Sequence, residues 1–177
     1  MIDKVWFGRP RESLAEPFLR PYKLSGETTS QKIKQIKEKL ILHKEQGFIL
    51  TCSDSICWLG NIRGQDVPNS PLMNCYAIVY YDHLCIYSKK DTYRDNIIKL
   101  RKNVMIKHFN DFFTDIKKLK KVLFEPTSTP FILKQKIIGQ RVKSEQISNP
   151  ISLLKAMKNP IELKGSIKSH EKDGVAL

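Results

Sequence analysis

Residues 54–71 read Asp-Ser-Ile-Cys-Trp-Leu-Gly-Asn-Ile-Arg-Gly-Gln-Asp-Val-Pro-Asn-Ser-Pro, and we begin with this stretch because it constrains the fold most strongly. The apolar run from Ile56 to Leu59 predicts a short helix, which Ser53 or Asp54 would cap. Glycine, asparagine, aspartate and proline follow, and these residue types favour turns. We therefore expect a short helix followed by a loop over residues 60–68.

Upstream of this stretch, the pattern predicts a helix and then a strand. Thr28 and Gln31 have the spacing of a capping box, in which each side chain bonds the backbone N–H of the other residue. Apolar residues then recur at helical spacing as far as Ile41. Gly47 is expected to end this helix. The apolar run 48–52 follows and predicts a buried strand.

Downstream of the same stretch, strands and helices alternate. The apolar runs 74–81 and 84–88 flank Asp82-His83 and predict a hairpin. The later predicted elements are a helix at 91–102, a strand at 104–108, a helix at 109–119, a strand at 122–124, a helix from Thr127 or Ser128 to Gly139, and an edge strand at 141–147. Alternation of this kind with one embedded hairpin indicates an α/β fold, a mixed β-sheet flanked by helices.

The two ends of the chain differ from its middle. We divide the chain into a leader or interdomain segment, an α/β domain and a C-terminal extension, at residues 1–27, 28–148 and 149–177. In the extension, a short helix is followed by a longer one that Asn159 caps, with Pro160 at its first position. The sequence is still helical in character at Leu177, so we expect a C-terminal part that has been cut away or is encoded separately.

Composition excludes several classes of function. The net charge is +13, but 24 of the 31 basic residues are lysines spread along the chain, whereas a phosphate-binding surface favours arginine. No apolar run has the length of a membrane helix, and residues 1–10 do not resemble a secretory signal. We therefore expect a cytoplasmic protein that binds neither nucleic acid nor membrane.

The sequence contains no motif that would form a complete active site. It lacks a phosphate-binding glycine loop, a Gly-x-Ser-x-Gly nucleophile turn and a His-Glu-x-x-His zinc motif. The four cysteines and four histidines lack zinc-site spacing, so we interpret the cysteines as buried reduced thiols. We expect no catalytic residue, no metal ligand set and no cofactor within this chain.

The loop after the short helix contains the polar residues Asn61, Arg63 and Asp66, for which two interpretations remain open. Arg63 and Asp66 can pair with each other and hold the shape of the loop, while Asn61 caps a turn. Alternatively, Arg63 points out of the domain toward a partner domain or a peptide carboxylate, which its two-pronged guanidinium suits.

Residues 54–71 resemble the second domain of the three-domain Xaa-Pro aminopeptidases, the aminopeptidase P family. The family pattern reads approximately Asp-x-Ile-Ala-Trp-Leu-x-Asn-(Leu/Ile)-Arg-Gly-x-Asp-(Ile/Val)-x-x-x-Pro. Residues 150–162 are similar to the family's approach to its catalytic domain, and residues 169–176 resemble the first helix of that domain. Lys172 stands where arginine is usual in the family.

The resemblance implies a fold of the creatinase/prolidase N-terminal type. It also implies that a two-metal site, usually manganese, lies in a C-terminal pita-bread domain whose ligands fall beyond the equivalent of Leu177. That catalytic domain, on the same or a separate chain, is the expected partner, and proline-containing peptides are the substrates of the full enzyme. The expected domain-docking residues of the C-terminal helix are Ile161, Ile167, His170 and Val175.

These observations leave two functional hypotheses. In the first, the chain is a non-catalytic domain of an Xaa-Pro aminopeptidase that packs beside the catalytic domain, shapes substrate access and is inactive alone. In the second, it is a stand-alone peptide- or protein-binding module that docks a separately encoded catalytic chain.

Overall fold

The structure, a computed structural model, describes residues 5–8, 16–89, 103–139 and 142–176. The strands within these residues are β1 (Phe18–Leu19), β2 (Gln46–Leu50), β3 (Ile62–Arg63), β4 (Tyr76–Val79), β5 (Leu84–Ser88), β6 (Val104–His108), β7 (Lys121–Phe124) and β8 (Lys143–Gln146). The helices are α1 (Tyr22–Ser25), α2 (Thr29–Leu40), α3 (Ser53–Gly60), α4 (Asp111–Lys117), α5 (Phe131–Ile138), α6 (Pro150–Ala156) and α7 (Pro160–Ala176).

Six of the strands form one mixed sheet in the order β6-β5-β4-β2-β7-β8. Strand β4 runs antiparallel to both of its neighbours, and the other adjacent pairs are parallel. β4 is thus the one strand of this sheet that runs against the other five, and with β5 it forms the predicted hairpin. The predicted mixed sheet flanked by helices, with a C-terminal helical extension, is therefore confirmed. Strands β1 and β3 form a separate antiparallel pair.

The alternation of side chains in the central strand supplies two hydrophobic layers. Phe48 and Leu50 belong to one core cluster, with the apolar residues of α2 and α3, whereas Ile49 belongs to the other. That second cluster includes Phe112 of α4 and Ile137 of α5. Because successive side chains of a strand point to opposite faces, a strand covered by helices on both faces reads as a continuous apolar run.

Gly47 does not end α2, contrary to the prediction. The helix ends at Leu40, and Ile41 itself takes the left-handed conformation at the C-cap, with φ 48°. Gly47 instead lies inside β2, where a Cβ atom would be only 2.7 Å from Ile78 Cγ2 and 2.7 Å from Leu119 Cδ1. A glycine is needed at this position because the neighbouring side chains occupy the space of a Cβ.

Other predicted boundaries also need correction. Helix α3 has Cys52 at its N-cap, and neither Ser53 nor Asp54 caps it. The predicted loop 60–68 contains strand β3, which pairs with β1. Helix α5 begins at Phe131, after Pro130, because a proline disfavours helical conformation in the residue before it. The helix predicted at residues 91–102 lies outside the described residues.

The two helices of the C-terminal extension differ in how deeply they are buried. In α6, Ile151 is fully buried and belongs to the same core cluster as α2 and α3. Helix α7, by contrast, has no buried residue. Helix α6 therefore packs on the hydrophobic core of the α/β domain, whereas α7 lies outside that core. The division at residues 27 and 148 stays a prediction.

We expect the substitution Gly47→Ala to destabilise the fold by about 1–3 kcal/mol, because the added methyl group overpacks the space between Ile78 and Leu119. Urea denaturation followed by circular dichroism measures the change. Gly165→Ala, inside α7, is the control, since no side chain lies within 4 Å of the position that its methyl group would take, its chain neighbours apart. Equal stability of the Gly47→Ala variant and the native chain would contradict the close packing at this strand.

Candidate interface around helix α3

One face of helix α3 contacts the C-terminal extension at two points. Asp54 and Trp58 are four residues apart, so they lie on the same side of the helix. Asp54 accepts a hydrogen bond from Lys155 of α6, and Trp58 Nε1 donates one to Glu162 Oε1 of α7 at 3.1 Å. Although burial opposes it, the Lys155 ammonium holds the pKa of Asp54 below its ordinary value.

The first turn of α7 is closed by a capping box formed by Asn159 and Glu162. Asn159 Oδ1 accepts from the backbone N–H groups of Ile161 and Glu162, both at 3.0 Å. Glu162 Oε2 accepts from the backbone N–H of Asn159 at 3.2 Å. Each capping side chain also bonds the body of the domain, Glu162 to Trp58 and Asn159, through Nδ2, to the Ser25 carbonyl at 2.8 Å.

Gly26 makes this approach of Asn159 possible. It follows α1 as a left-handed C-cap with φ 69°, a conformation that residues with a side chain rarely adopt. A Cβ atom at this position would lie 2.3 Å from Asn159 Oδ1. Both the backbone conformation and the space therefore require glycine where the start of α7 meets α1.

A buried lysine lies against the face of the Trp58 ring. Lys32 of α2 has no exposed surface, and its Nζ donates to the Trp58 carbonyl at 2.9 Å and to Asn61 Oδ1 at 2.8 Å. The same ammonium lies 4.0 Å from the centroid of the Trp58 ring, a cation–π contact. Burial lowers the pKa of Lys32 to about 8, against the raising effect of the Glu162 and Glu27 carboxylates.

Asn61 points into the domain and joins three segments of the chain. It is the C-cap of α3 with φ 49° and is almost fully buried. Its Oδ1 accepts from Lys32, and its Nδ2 donates to the Glu27 carbonyl at 2.6 Å. Asn61 thus caps a turn, as one of the two interpretations of this loop expects, and also supplies an acceptor to a buried ammonium.

Arg63 and Asp66 bond to the backbone around the loop. Arg63 Nη1 donates to the carbonyl groups of Cys57 and Ile62, both at 2.8 Å, and burial lowers the pKa of Arg63. Asp66 Oδ2 accepts from the backbone N–H of Asn74 at 2.8 Å. Both side chains hold the shape of the loop through these bonds. A substrate-facing role for Asn61, Arg63 or Asp66 stays a prediction.

The four predicted docking residues lie along the exposed helix α7. Ile161 is half-buried in the first turn, whereas Ile167 and Val175 are 54% and 89% exposed. His170 is exposed, with Nδ1 2.9 Å from the Ser166 carbonyl one turn earlier. The structure does not bring these four side chains together into one site, and their docking to another domain stays a prediction.

The potential metal ligands among the described residues are dispersed. Among them, no group of three or more His, Cys, Asp or Glu side chains could hold a metal ion. The four cysteines are free thiols, and burial raises the pKa of Cys85 to about 11. No described helix combines the length and apolar character that a membrane span requires.

The arrangement has counterparts in known proteins. Residues 8–162 match the family model of the creatinase/prolidase N-terminal domain. The chain belongs to this family. All of it aligns with a probable Xaa-Pro aminopeptidase P of Aspergillus fumigatus, at 32% identity, and with one of Leptosphaeria maculans, at 29%. The chain spans only 29% and 31% of the lengths of these two relatives.

A solved structure of this family has a similar backbone. The X-prolyl aminopeptidase of Caenorhabditis elegans superposes on 96% of the chain with a TM-score of 0.81 and 26% sequence identity. The chain covers 29% of that enzyme, which is described as cytosolic with a di-nuclear active site. The resemblance to Xaa-Pro aminopeptidases seen in residues 54–71 is therefore confirmed over nearly the whole chain.

Sequence reasoning missed four residues that build this interface, namely Gly26, Lys32, Trp58 and Glu162. The spacing of Asn159 and Glu162 is that of a capping box and could have identified Glu162. Lys32 precedes Ile36 by four residues and so lies beside the apolar face of α2, but a lysine at such a position commonly extends its ammonium to solvent. Only the folded chain shows that Lys32 is buried. The bond from Trp58 joins residues 104 positions apart, so no local pattern predicts it.

We expect the stability of the native chain, relative to Lys32→Met, to increase by about 3 kcal/mol as the pH rises from about 8 to 10.5. The pKa of Lys32 is about 8 in the folded chain and near its ordinary 10.5 when unfolded, so the unfolded chain binds more protons over this interval. Urea denaturation across this pH range measures the difference. Lys34→Met, at an exposed position of the same helix, is the control, and a difference independent of pH would contradict the burial of the charge.

We expect Asn61→Ala to destabilise the chain by about 2 kcal/mol more than Asn69→Ala does, since only the first removes one of the acceptors of the buried Lys32 ammonium and a donor to the Glu27 carbonyl. Both asparagines have positive φ, 49° and 59°, and Asn69 is exposed, so the pair separates lost hydrogen bonds from backbone strain. Thermal and urea denaturation of the two variants provide the comparison. Equal losses would show that Asn61 acts through its backbone conformation alone.

Proposed function

We propose that the chain is the non-catalytic α/β domain of an Xaa-Pro aminopeptidase, an enzyme that removes the N-terminal residue of peptides with proline in second position. One observation carries this proposal. The chain aligns from end to end with enzymes named for that activity, and it corresponds to less than a third of their length. The backbone similarity to the C. elegans enzyme supports the same assignment.

The role we propose is to pack beside the catalytic domain and shape the access of short peptides to it. Helix α7 supports this role, because it emerges from the domain with Leu163 and Ile167 each more than half exposed. Exposed apolar side chains four residues apart on one helix face suit a contact with a further domain. The catalytic domain, on the same chain or a separate one, is the partner we assign to this face. Of the predicted docking residues, Ile167 and His170 lie on it, whereas Ile161 and Val175 lie on other sides of the same helix.

The metal centre belongs to another part of the enzyme in this proposal. A two-metal site needs several converging carboxylates and imidazoles. The described residues offer no group of three such side chains, so they do not fit a dinuclear centre, and we assign them no catalytic step. We propose that two divalent ions, manganese in most of the family, bind in the catalytic domain. We place the enzyme in the cytosol, as described for the C. elegans relative.

We expect the purified chain to release no N-terminal residue from an Xaa-Pro peptide, with or without added Mn²⁺, because the groups that would bind and activate water lie elsewhere. Mass spectrometry of the peptide after incubation measures release, with the C. elegans enzyme as the positive control. Metal-dependent release that copurifies with the chain through successive columns would overturn the proposal.

A segment exchange tests the assignment from the opposite direction. The A. fumigatus enzyme with its matching segment replaced by this chain should hydrolyse an Xaa-Pro peptide, whereas the same enzyme with the segment deleted should not. An exchanged enzyme that folds and binds metal as the native one does, yet stays inactive, would contradict the proposed role beside the catalytic site.

A further inference from the structure

Helix α7 is held to the rest of the domain at its first turn. The hydrogen bonds that Asn159 and Glu162 make to Ser25 and Trp58 both lie there, and the later residues of the helix are largely exposed. At 1.5 Å per residue, the 17 residues of α7 extend about 25 Å from this turn. The orientation of the whole helix therefore depends on a few contacts at one end.

Trp58 contacts opposite charges on two sides of its indole ring. The Lys32 ammonium lies over the ring face, 4.0 Å from the centroid, and the ring N–H donates to the Glu162 carboxylate at 3.1 Å. A cation above the face draws electron density out of the ring, which makes the N–H a stronger hydrogen-bond donor. The hydrogen bond from the Trp58 N–H to the Glu162 carboxylate is strengthened as a result, because its donor is polarised and its acceptor is charged.

We propose that Lys32, Trp58 and Glu162 form a charge-linked latch that fixes the direction of α7, with Trp58 as its positioning residue. The latch and the helix start share a group, because the second oxygen of Glu162 closes the capping box on Asn159. When the Trp58–Glu162 bond breaks, α7 therefore loses the contact that orients it, and the carboxylate that caps its first turn is no longer held in place. This device goes beyond the proposed peptidase role and is present in the isolated chain.

The charges around Lys32 make the latch dependent on pH. Glu162 from α7 and Glu27 from the segment before α2 favour the ammonium form, while Arg63 of β3 and Arg20 after β1 oppose it. The pKa of Lys32 is about 8, so raising the pH through that value removes the cation above the ring. As the pH rises above about 8, the contact that orients α7 weakens, while the folded domain becomes more stable because it no longer contains a buried charge. Opposite responses of helix order and domain stability distinguish the latch from a contact that only supports the fold.

Residual dipolar couplings measured by NMR on the whole chain test this inference. At about pH 6.5, we expect the Cα–Hα couplings of α7 in the native chain to fit the same alignment tensor as the sheet. In Trp58→Phe, which keeps the ring beneath Lys32 but loses the N–H, the tensor magnitude of α7 should fall by at least about half while that of the sheet is unchanged. Glu162→Ala should give the same result, and Glu171→Ala, an exposed glutamate of the same helix, should give none.

The outcomes separate the parts of the inference. If α7 keeps the tensor of the sheet in both Trp58→Phe and Glu162→Ala, the latch does not set its direction. Should Trp58→Phe fail to fold, Glu162→Ala decides, because its side chain lies outside the hydrophobic core. The native chain at about pH 9.5 and Lys32→Met at about pH 6.5 should both show the reduced α7 tensor, and unchanged order in these two samples would overturn the charge linkage. None of these results depends on peptidase activity, so the proposed function and the latch can fail separately.

Discussion

The buried ammonium of Lys32 is the constraint around which this domain is organised. A charge without access to water must be surrounded by acceptors, since its desolvation is otherwise too costly. Here the acceptors are the carbonyl and ring of Trp58 and the side chain of Asn61, all from the stretch that ends α3. The position of α3 against α2 thus follows from one charge as much as from the apolar packing between them.

The fold could be predicted from the sequence where local patterns carry the information. Apolar runs that alternate with amphipathic segments indicated the mixed sheet, and the Thr28–Gln31 capping box is present as expected. The prediction failed where distant parts of the chain decide. Gly47 lies inside β2, where Ile78 and Leu119 occupy the space that a side chain would need, and neither residue is near Gly47 in sequence.

The candidate site was less accessible to sequence reasoning than the fold. The polar residues of the loop stand out in the sequence, but the direction in which their side chains point does not. Asn61 faces the interior, where it accepts a hydrogen bond from Lys32, and no local pattern connects two residues that are 29 positions apart. The contacts of Trp58 and Asn159 with Glu162 and Ser25 depend on how the C-terminal extension returns to the domain. Residue types alone do not show that the C-terminal extension packs back against the domain, whereas similarity to whole enzymes can indicate that these segments belong together.

The spacing of Asp54 and Trp58 makes one short helix the common support of two others. Each residue of an α-helix is rotated by about 100° from the one before it. Inserting or deleting a single residue between these two positions would therefore turn one of them away from the extension and break the register between its two helices. The length of this one helical turn is consequently under tighter geometric restriction than the identity of the side chains inside it.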